Sequence, residues 1–171
     1  MGASMLANDY YFAEGTTRAG FEEWLTIQNP GSAAISVHAV FNLGSGAPIE
    51  KDYTIDPARR TTVYVPDQIG TEKDASVHLS SDDYFLAERP MYFDYQGTGS
   101  RGWTGGHCVI GTTVGATRWF FAEGYTGYGF EEWLCVQNPG ESEADVTVTY
   151  YPEGDAASLS TSHKVAAHSR Y

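Results

Sequence analysis

Residues 11–31 read YFAEGTTRAGFEEWLTIQNPG, and residues 120–140 read FFAEGYTGYGFEEWLCVQNPG. The two stretches lie 109 positions apart and agree at 15 of 21 positions. Two of the differences, Tyr11/Phe120 and Ile27/Val136, keep size and polarity. The match continues loosely: Ile35-Ser-Val-His-Ala-Val-Phe41 aligns with Ala144-Asp-Val-Thr-Val-Thr-Tyr150. Further on, Tyr53-Thr-Ile-Asp-Pro-Ala-Arg-Arg60 echoes His163-Lys-Val-Ala-Ala-His-Ser-Arg170 once one loop residue is inserted. So long a period is domain-sized, well above a solenoid unit. It places a lead-in at 1–9, a first repeat at 10–115 and the N-terminal half of a second repeat at 116–171. A half-sandwich would leave apolar faces and strand edges open. The second copy is therefore expected to be cut short here, or completed by another chain.

Short runs rich in Tyr, Phe, Val and Thr lie between clusters of Gly, Pro, Asn and Asp, which reads as strands joined by turns. The aromatic share is 14%, with 19 Gly and 7 Pro as punctuation. In the first copy the extended segments are Tyr10–Glu14, Glu22–Gln28, Ala34–Leu43, Ile49–Ile55, Thr61–Val65, Ala75–Leu79, Tyr84–Glu88 and Met91–Tyr95. Trp24 and its alternate positions are expected to face the core. In the third segment Ile35, Val37, Ala39 and Phe41 point inward, against Ser36, His38 and Val40. No amphipathic helix is expected. The fold class is all-β, an immunoglobulin-like antiparallel sandwich, with a small barrel as the other architecture.

The formal charge is −12, from 10 basic and 22 acidic residues. Such a surface repels phosphate backbones and anionic lipid, so nucleic acid is not an expected partner. No apolar run reaches the roughly 20 residues that cross a bilayer, so no membrane insertion is expected. Met1–Asn8 lacks the charged and apolar regions of a signal peptide.

Four motifs stand out: Trp119-Phe-Phe-Ala-Glu-Gly-Tyr-Thr-Gly127, Phe130-Glu-Glu-Trp-Leu-Cys-Val-Gln-Asn-Pro-Gly140, Ala87-Glu-Arg-Pro-Met-Tyr-Phe93, and Trp103-Thr-Gly-Gly-His-Cys-Val-Ile-Gly111. Together they resemble an uncharacterised tandem repeat of large bacterial cell-surface proteins. Gln28-Asn-Pro-Gly31 before an alternating strand resembles, more distantly, adhesion-type sandwich domains. The resemblance implies an extracellular or cell-surface location and a repeat architecture. It brings no catalytic residue.

Several constellations remain. Glu22-Glu23 and Glu131-Glu132 are adjacent on strands, so each pair splits between two faces and cannot act as a glycosidase pair. A structural role in the repeat is the expectation. Glu14 can accept backbone N–H groups at a turn or pair with Arg18 or Arg89. Calcium is a weak alternative cofactor, with Asp82 and Asp83 as candidates, because no Asp-x-Asp loop supplies its oxygens. His38 and His78 would meet only if their strands are neighbours. No Gly-x-Ser-x-Gly elbow, His-Glu-x-x-His or Cys-x-x-Cys occurs, and His107 next to Cys108 in an extended segment points away from it. The Gly-rich segment 97–106 is the best binding candidate, with Arg101 and Trp103 in it and His107 beside it. Exposed aromatics there would suit a sugar ring. The plainer alternative is that Trp103 packs on the sandwich end or on the next repeat. A Cys108–Cys135 disulfide would cross the junction between copies and contribute about 3 kcal/mol. Free thiols, or partners elsewhere, are the alternative.

The expected role is non-enzymatic: a structural or adhesion module that spaces or assembles an extracellular array or filament. Its partners would be neighbouring repeats or identical chains. The other reading is a module binding cell-wall or extracellular glycans.

Overall fold

The computed structural model describes residues 2–97 and 102–171. Strand accounts for 54% of the chain and helix for 3%, and the sheets are antiparallel. The N-terminal region carries β1 (Ala7–Phe12), β2 (Phe21–Asn29), β3 (Ile35–Leu43), β4 (Ile49–Ile55), β5 (Arg59–Tyr64), α1 (Val65–Ile69), β6 (Ala75–Gln96) and β7 (Gly102–Ile110). The C-terminal region carries β8 (Gln137–Asn138), β9 (Ala144–Tyr150), β10 (Leu159–Val165) and β11 (Ser169–Arg170).

Strand β6 organises the N-terminal region. Its first half pairs with β3 on one edge and β1 on the other. Its second half pairs with β2 and β7. Two layers result, β4-β3-β6-β1 and β5-β2-β6-β7, sharing one strand of 22 residues. Asp82–Tyr84 in its middle are exposed, and the register against β1 slips between Ala7/Phe85 and Asp9/Ser80. The extra residues form a bulge that lets one strand turn from the first layer to the second. Between the layers, Leu25, Ile27, Val37, Ala39, Phe41, Ile55, Val77, Leu79, Phe85 and Ala87 are fully buried. A fully buried aliphatic or Phe side chain contributes about 1.5–3 kcal/mol.

The alternation expected for Ile35–Phe41 is the one observed. Two expectations need correction. The segments Ala75–Leu79, Tyr84–Glu88 and Met91–Tyr95 are one strand, and Pro90 does not divide it. On the β2 side pairing stops at Glu23/Met91 and resumes at Thr26/Glu88, a gap that accommodates the missing Pro90 N–H, while on the β7 side the register runs on through Pro90/Cys108. The inward face of β2 carries Glu23, Leu25, Ile27 and Asn29, not Trp24. Trp24 is half-buried on the outer face, with its ring 4.4 Å from that of Tyr64. A buried carboxylate hid the true phase of the pattern, since a one-residue shift exchanges the faces. Among the described residues there is also one short helix, started by Pro66 and Asp67 and closed by Gly70 at φ 86°. Five residues are too few for an amphipathic period to show.

Where the two Asn-Pro-Gly turns stand, the chain repeats its hydrogen bonds atom for atom. Asn29 Nδ2 donates to the carbonyls of Ala33, Ile55 and Asp56, and Asn29 Oδ1 accepts from the Gly31 amide. Asn138 Nδ2 donates to the carbonyls of Ser142, Val165 and Ala166, and Asn138 Oδ1 accepts from the Gly140 amide. Ala58 and His168, at φ 52° and 50°, send their amides to Gly31 and Gly140 respectively. Strand register matches too: Ile35 faces Ile55, and Ala144 faces Val165.

Surroundings differ at the Phe-Ala-Glu-Gly stretches. Phe12 is 3% exposed on β1, whereas Phe121 is 70% exposed with no strand at that position. β1 is held by pairing with β6, and no second strand of that kind lies among the described residues.

Candidate functional site

The motifs singled out in the sequence meet in one polar cluster between β6, β7 and the Phe-Ala-Glu-Gly turn. The turn follows β1 and carries Glu14 and Gly15. β2 brings Glu23 inward, β6 brings Arg89 inward, and β7 brings His107 to the rim. Arg89 is 1% exposed. Its Nη1 donates to the Glu14 carbonyl at 2.6 Å and its Nη2 to Glu14 Oε2 at 2.7 Å. The Glu14–Arg89 pairing considered from sequence is thus present. Arg18 instead forms a two-point ion pair with Asp74. His107 Nε2 lies 3.7 Å from the same Glu14 oxygen.

Glu23 is the unusual member. It is 0% exposed, and neither oxygen has a partner in full hydrogen-bond geometry, the Thr16 backbone N–H reaching it only weakly. Burial pushes its carboxyl up to about 8; Arg89 opposes the shift, the Glu14 carboxylate adds to it, and Thr16 and Arg170 oppose it weakly. At neutral pH Glu23 is therefore mostly an uncharged acid, the form a desolvated carboxyl prefers. Its space is made by a glycine: a Cβ on Gly15 would stand 2.6 Å from Glu23 Oε1. Gly124 stands in the same relation to Glu132, where a Cβ would come within 2.9 Å of Oε2. The Gly–Glu pairing thus occurs twice, although Glu132 is exposed.

The C-terminal region docks on this cluster. Arg170 Nη1 donates to the Gly15 carbonyl at 2.9 Å, and its Nη2 to Cys135 Sγ at 3.2 Å. Burial raises the Cys135 thiol pKa and the Arg170 charge pulls it back. Farther along, Tyr95 Oη donates to Glu131 Oε2 at 3.3 Å. A Cβ on Gly97 would stand 2.5 Å from both Glu131 Oε1 and Trp103 Nε1. Trp103 therefore sits half-buried beside Glu131. Trp103 and His107 are four residues apart on one strand, so both share a face, about 13 Å apart.

Of the binding candidates, Arg101 lies outside the described residues. Trp103 and His107 belong to β7, so the stretch from Gly102 is strand and not loop. Cys108 and Cys135 are free thiols and no bridge joins them. Cys108 lies exposed opposite Pro90, while Cys135 turns toward Arg170. Asp82 and Asp83 sit on the β6 bulge. Among the described residues no three His, Cys, Asp or Glu side chains gather in a set able to hold a metal ion. His38 and His78 lie on neighbouring strands, yet each takes its own carboxylate: Asp52 for His38 and Asp9 for His78, both at 2.8 Å. Asp9 and Asp82 join His38 around a shallow polar groove on the same face. Among the described residues no helix is long and apolar enough to cross a membrane.

Sequence reading missed Glu23 and Arg170 as members of the site. The repeated Gly-to-Glu spacing, residues 15 to 23 and 124 to 132, was the available signal for the first. Nothing local marked the second.

No family model and no curated protein matches the chain. Among solved structures, the crystal structure of Thermotoga maritima 1070 superposes with a TM-score of 0.54 at 18% identity, covering 63% of this chain and 95% of that one. The Anabaena sensory rhodopsin transducer follows at 0.44, also 18% identical, covering 50% of this chain and 97% of that one. The first likeness shows a shared fold and nothing about activity.

Proposed function

We propose that this chain is a non-enzymatic structural module, built of tandem immunoglobulin-like sandwich units, from a secreted or cell-surface protein. Its work is to hold successive units at a fixed angle and so space or assemble an extracellular array. One observation carries the reading: the sequence motifs of the first unit converge where the next unit docks. Arg170 reaches the Gly15 carbonyl, and Glu131 accepts from Tyr95. The twice-built Asn-Pro-Gly clamp supports the repeat itself.

The cluster suits holding rather than reacting. Glu23 is sealed from solvent, and a group without access to a substrate cannot serve as its acid or base. Arg89 fastens the Phe-Ala-Glu-Gly turn to β6, and Gly15 leaves its carbonyl for the neighbouring unit's arginine.

The test is the rigidity of the junction. Residual dipolar couplings should fit one alignment tensor for both regions, and Arg170→Ala should make them diverge. Independent tensors in the unaltered chain would overturn the scaffold reading. Saturable binding on a glycan panel, abolished by Trp103→Ala, would replace it with the glycan-binding one.

A further inference from the structure

The outer face of the layer β5-β2-β6-β7 carries aromatic rings that neither the core nor the junction uses. Register defines this face. Trp24 on β2 stands opposite Tyr64 on β5, and Glu22 stands opposite Tyr92 on β6. Thr26, one step further along β2, faces Glu88, and Tyr92 in turn faces Gly106 on β7. The alternate residues Glu23, Leu25 and Met91 point the other way and are buried.

Two ring platforms result. The Trp24 and Tyr64 rings lie 4.4 Å apart at 38°, and both residues are half-buried. Tyr92 is 56% exposed. Its ring leans over β7 where residue 106 has no side chain, since a Cβ on Gly106 would stand 2.8 Å from Tyr92 Cδ1. A glycine inside a strand marks such a close approach. One platform spans β5 and β2, and the other spans β6 and β7. Their centres are therefore about two strand spacings apart, roughly 10 Å. A compact head group cannot cover both, whereas an extended chain of rings can.

Charge selects among such chains. Glu22 is exposed between the two platforms, and Glu88 borders them. The net charge of −12 repels an anionic polymer. Ammonium groups are drawn both to carboxylates and to the faces of Trp and Tyr rings.

We propose that this face binds an extended polysaccharide whose sugars carry free amino groups. Sugar rings lie on the Trp24–Tyr64 and Tyr92 platforms, and their ammonium groups pair with Glu22 and Glu88. Tyr95, which meets Glu131, projects from the opposite side of β6. Binding face and junction are thus separate, so the inference does not rest on the scaffold reading, and either can fail while the other stands.

The probe is a β-linked glucosamine oligomer, titrated into the full chain by calorimetry. Mildly acidic buffer keeps its amines charged and the carboxylates ionised. Saturable binding is expected. Tyr92→Ala should weaken it about fivefold, the scale of one exposed cation–π contact. The thermal melt should not move, because that ring lies largely in solvent. Glu22→Gln should weaken binding less and flatten its salt dependence. A lysine oligomer of equal charge lacks the sugar faces, and the N-acetylated oligomer lacks the charge. Both should bind at least about fivefold more weakly. Absence of saturable binding by the glucosamine oligomer would overturn the proposal. So would equal binding of either comparison oligomer. Binding that survives Tyr92→Ala but is lost in Trp103→Ala would also overturn it, by placing the ligand on the opposite face of β7.

Discussion

Glu23 and Glu132 stand in the same sequence, Phe-Glu-Glu-Trp-Leu, each facing a glycine at the same spacing. One is sealed in a core and largely uncharged; the other lies in solvent. The Asn-Pro-Gly turns a few residues on are alike in both regions, down to each hydrogen bond. Local chemistry thus suffices for the turn and for the hairpin it anchors. Burial of the acid does not follow from local chemistry. It needs a distant strand, β6, and the arginine that strand brings. The same holds for β1, which is strand where β6 pairs with it and irregular chain where no such strand stands.

The sharpest way to break the comparison is Arg89→Ala. It removes the buried partner of Glu14 and leaves a cavity beside Glu23. Losing one member of a fully buried pair costs about 3–5 kcal/mol. Glu14 can partly rehydrate, so about 3 kcal/mol of destabilisation of the N-terminal region is expected in denaturant titrations. The C-terminal hairpin should be indifferent.

The pH dependence of stability sharpens it next. Glu23 in the folded chain titrates near 8, against an ordinary value of 4.5. Between those values the folded chain holds a proton the unfolded chain has lost. By linkage, this group's stabilising effect is fully present below about pH 4.5 and declines as pH rises toward 8. Glu23→Gln, an uncharged near-isostere, should flatten that slope in midpoints measured across the window. An unchanged slope would assign it to other groups.

Equivalent glycines offer a paired test of smaller size. Gly15→Ala places a methyl against the Ala75 backbone and the buried Glu23 carboxyl. Overpacking of this kind costs about 1–3 kcal/mol. Gly124→Ala meets an exposed carboxylate that can swing away, and thermal melts should move by less than the equivalent of about 0.5 kcal/mol. Smallest of all is Arg18→Ala, which removes an ion pair whose arginine side chain is 62% exposed. Double-mutant cycles with Asp74 should return below about 1 kcal/mol.

Much of this fold is legible in the sequence because much of it is periodic. Ile35–Phe41 alternates cleanly, and its buried face is the expected one. β2 was harder. Its inward residues begin with an acid and end with an amide, so hydrophobic pattern alone selects the wrong face. β6 was hidden by Arg89-Pro90, which reads as a break; its continuity depends on which neighbour would have needed the Pro90 N–H. For the site, Glu14 with Arg89 was readable as a charge pair, because opposite charges are few in so acidic a chain. Arg170 was not, since its contact with Gly15 spans 155 positions. The thiols mislead in the opposite direction: two cysteines suggest a bridge by count, and only geometry turns one toward an arginine.

Amide exchange across the full chain tests the central claim most directly, by comparing Val37–Phe41 on β3 with Val146–Tyr150 on β9. The two segments share register and turn chemistry, and differ in whether β6 covers them. The account predicts that the first exchanges only through global opening of the N-terminal core, while the second exchanges orders of magnitude faster through fraying of an open hairpin. Equal protection of the two segments in the chain alone would contradict it.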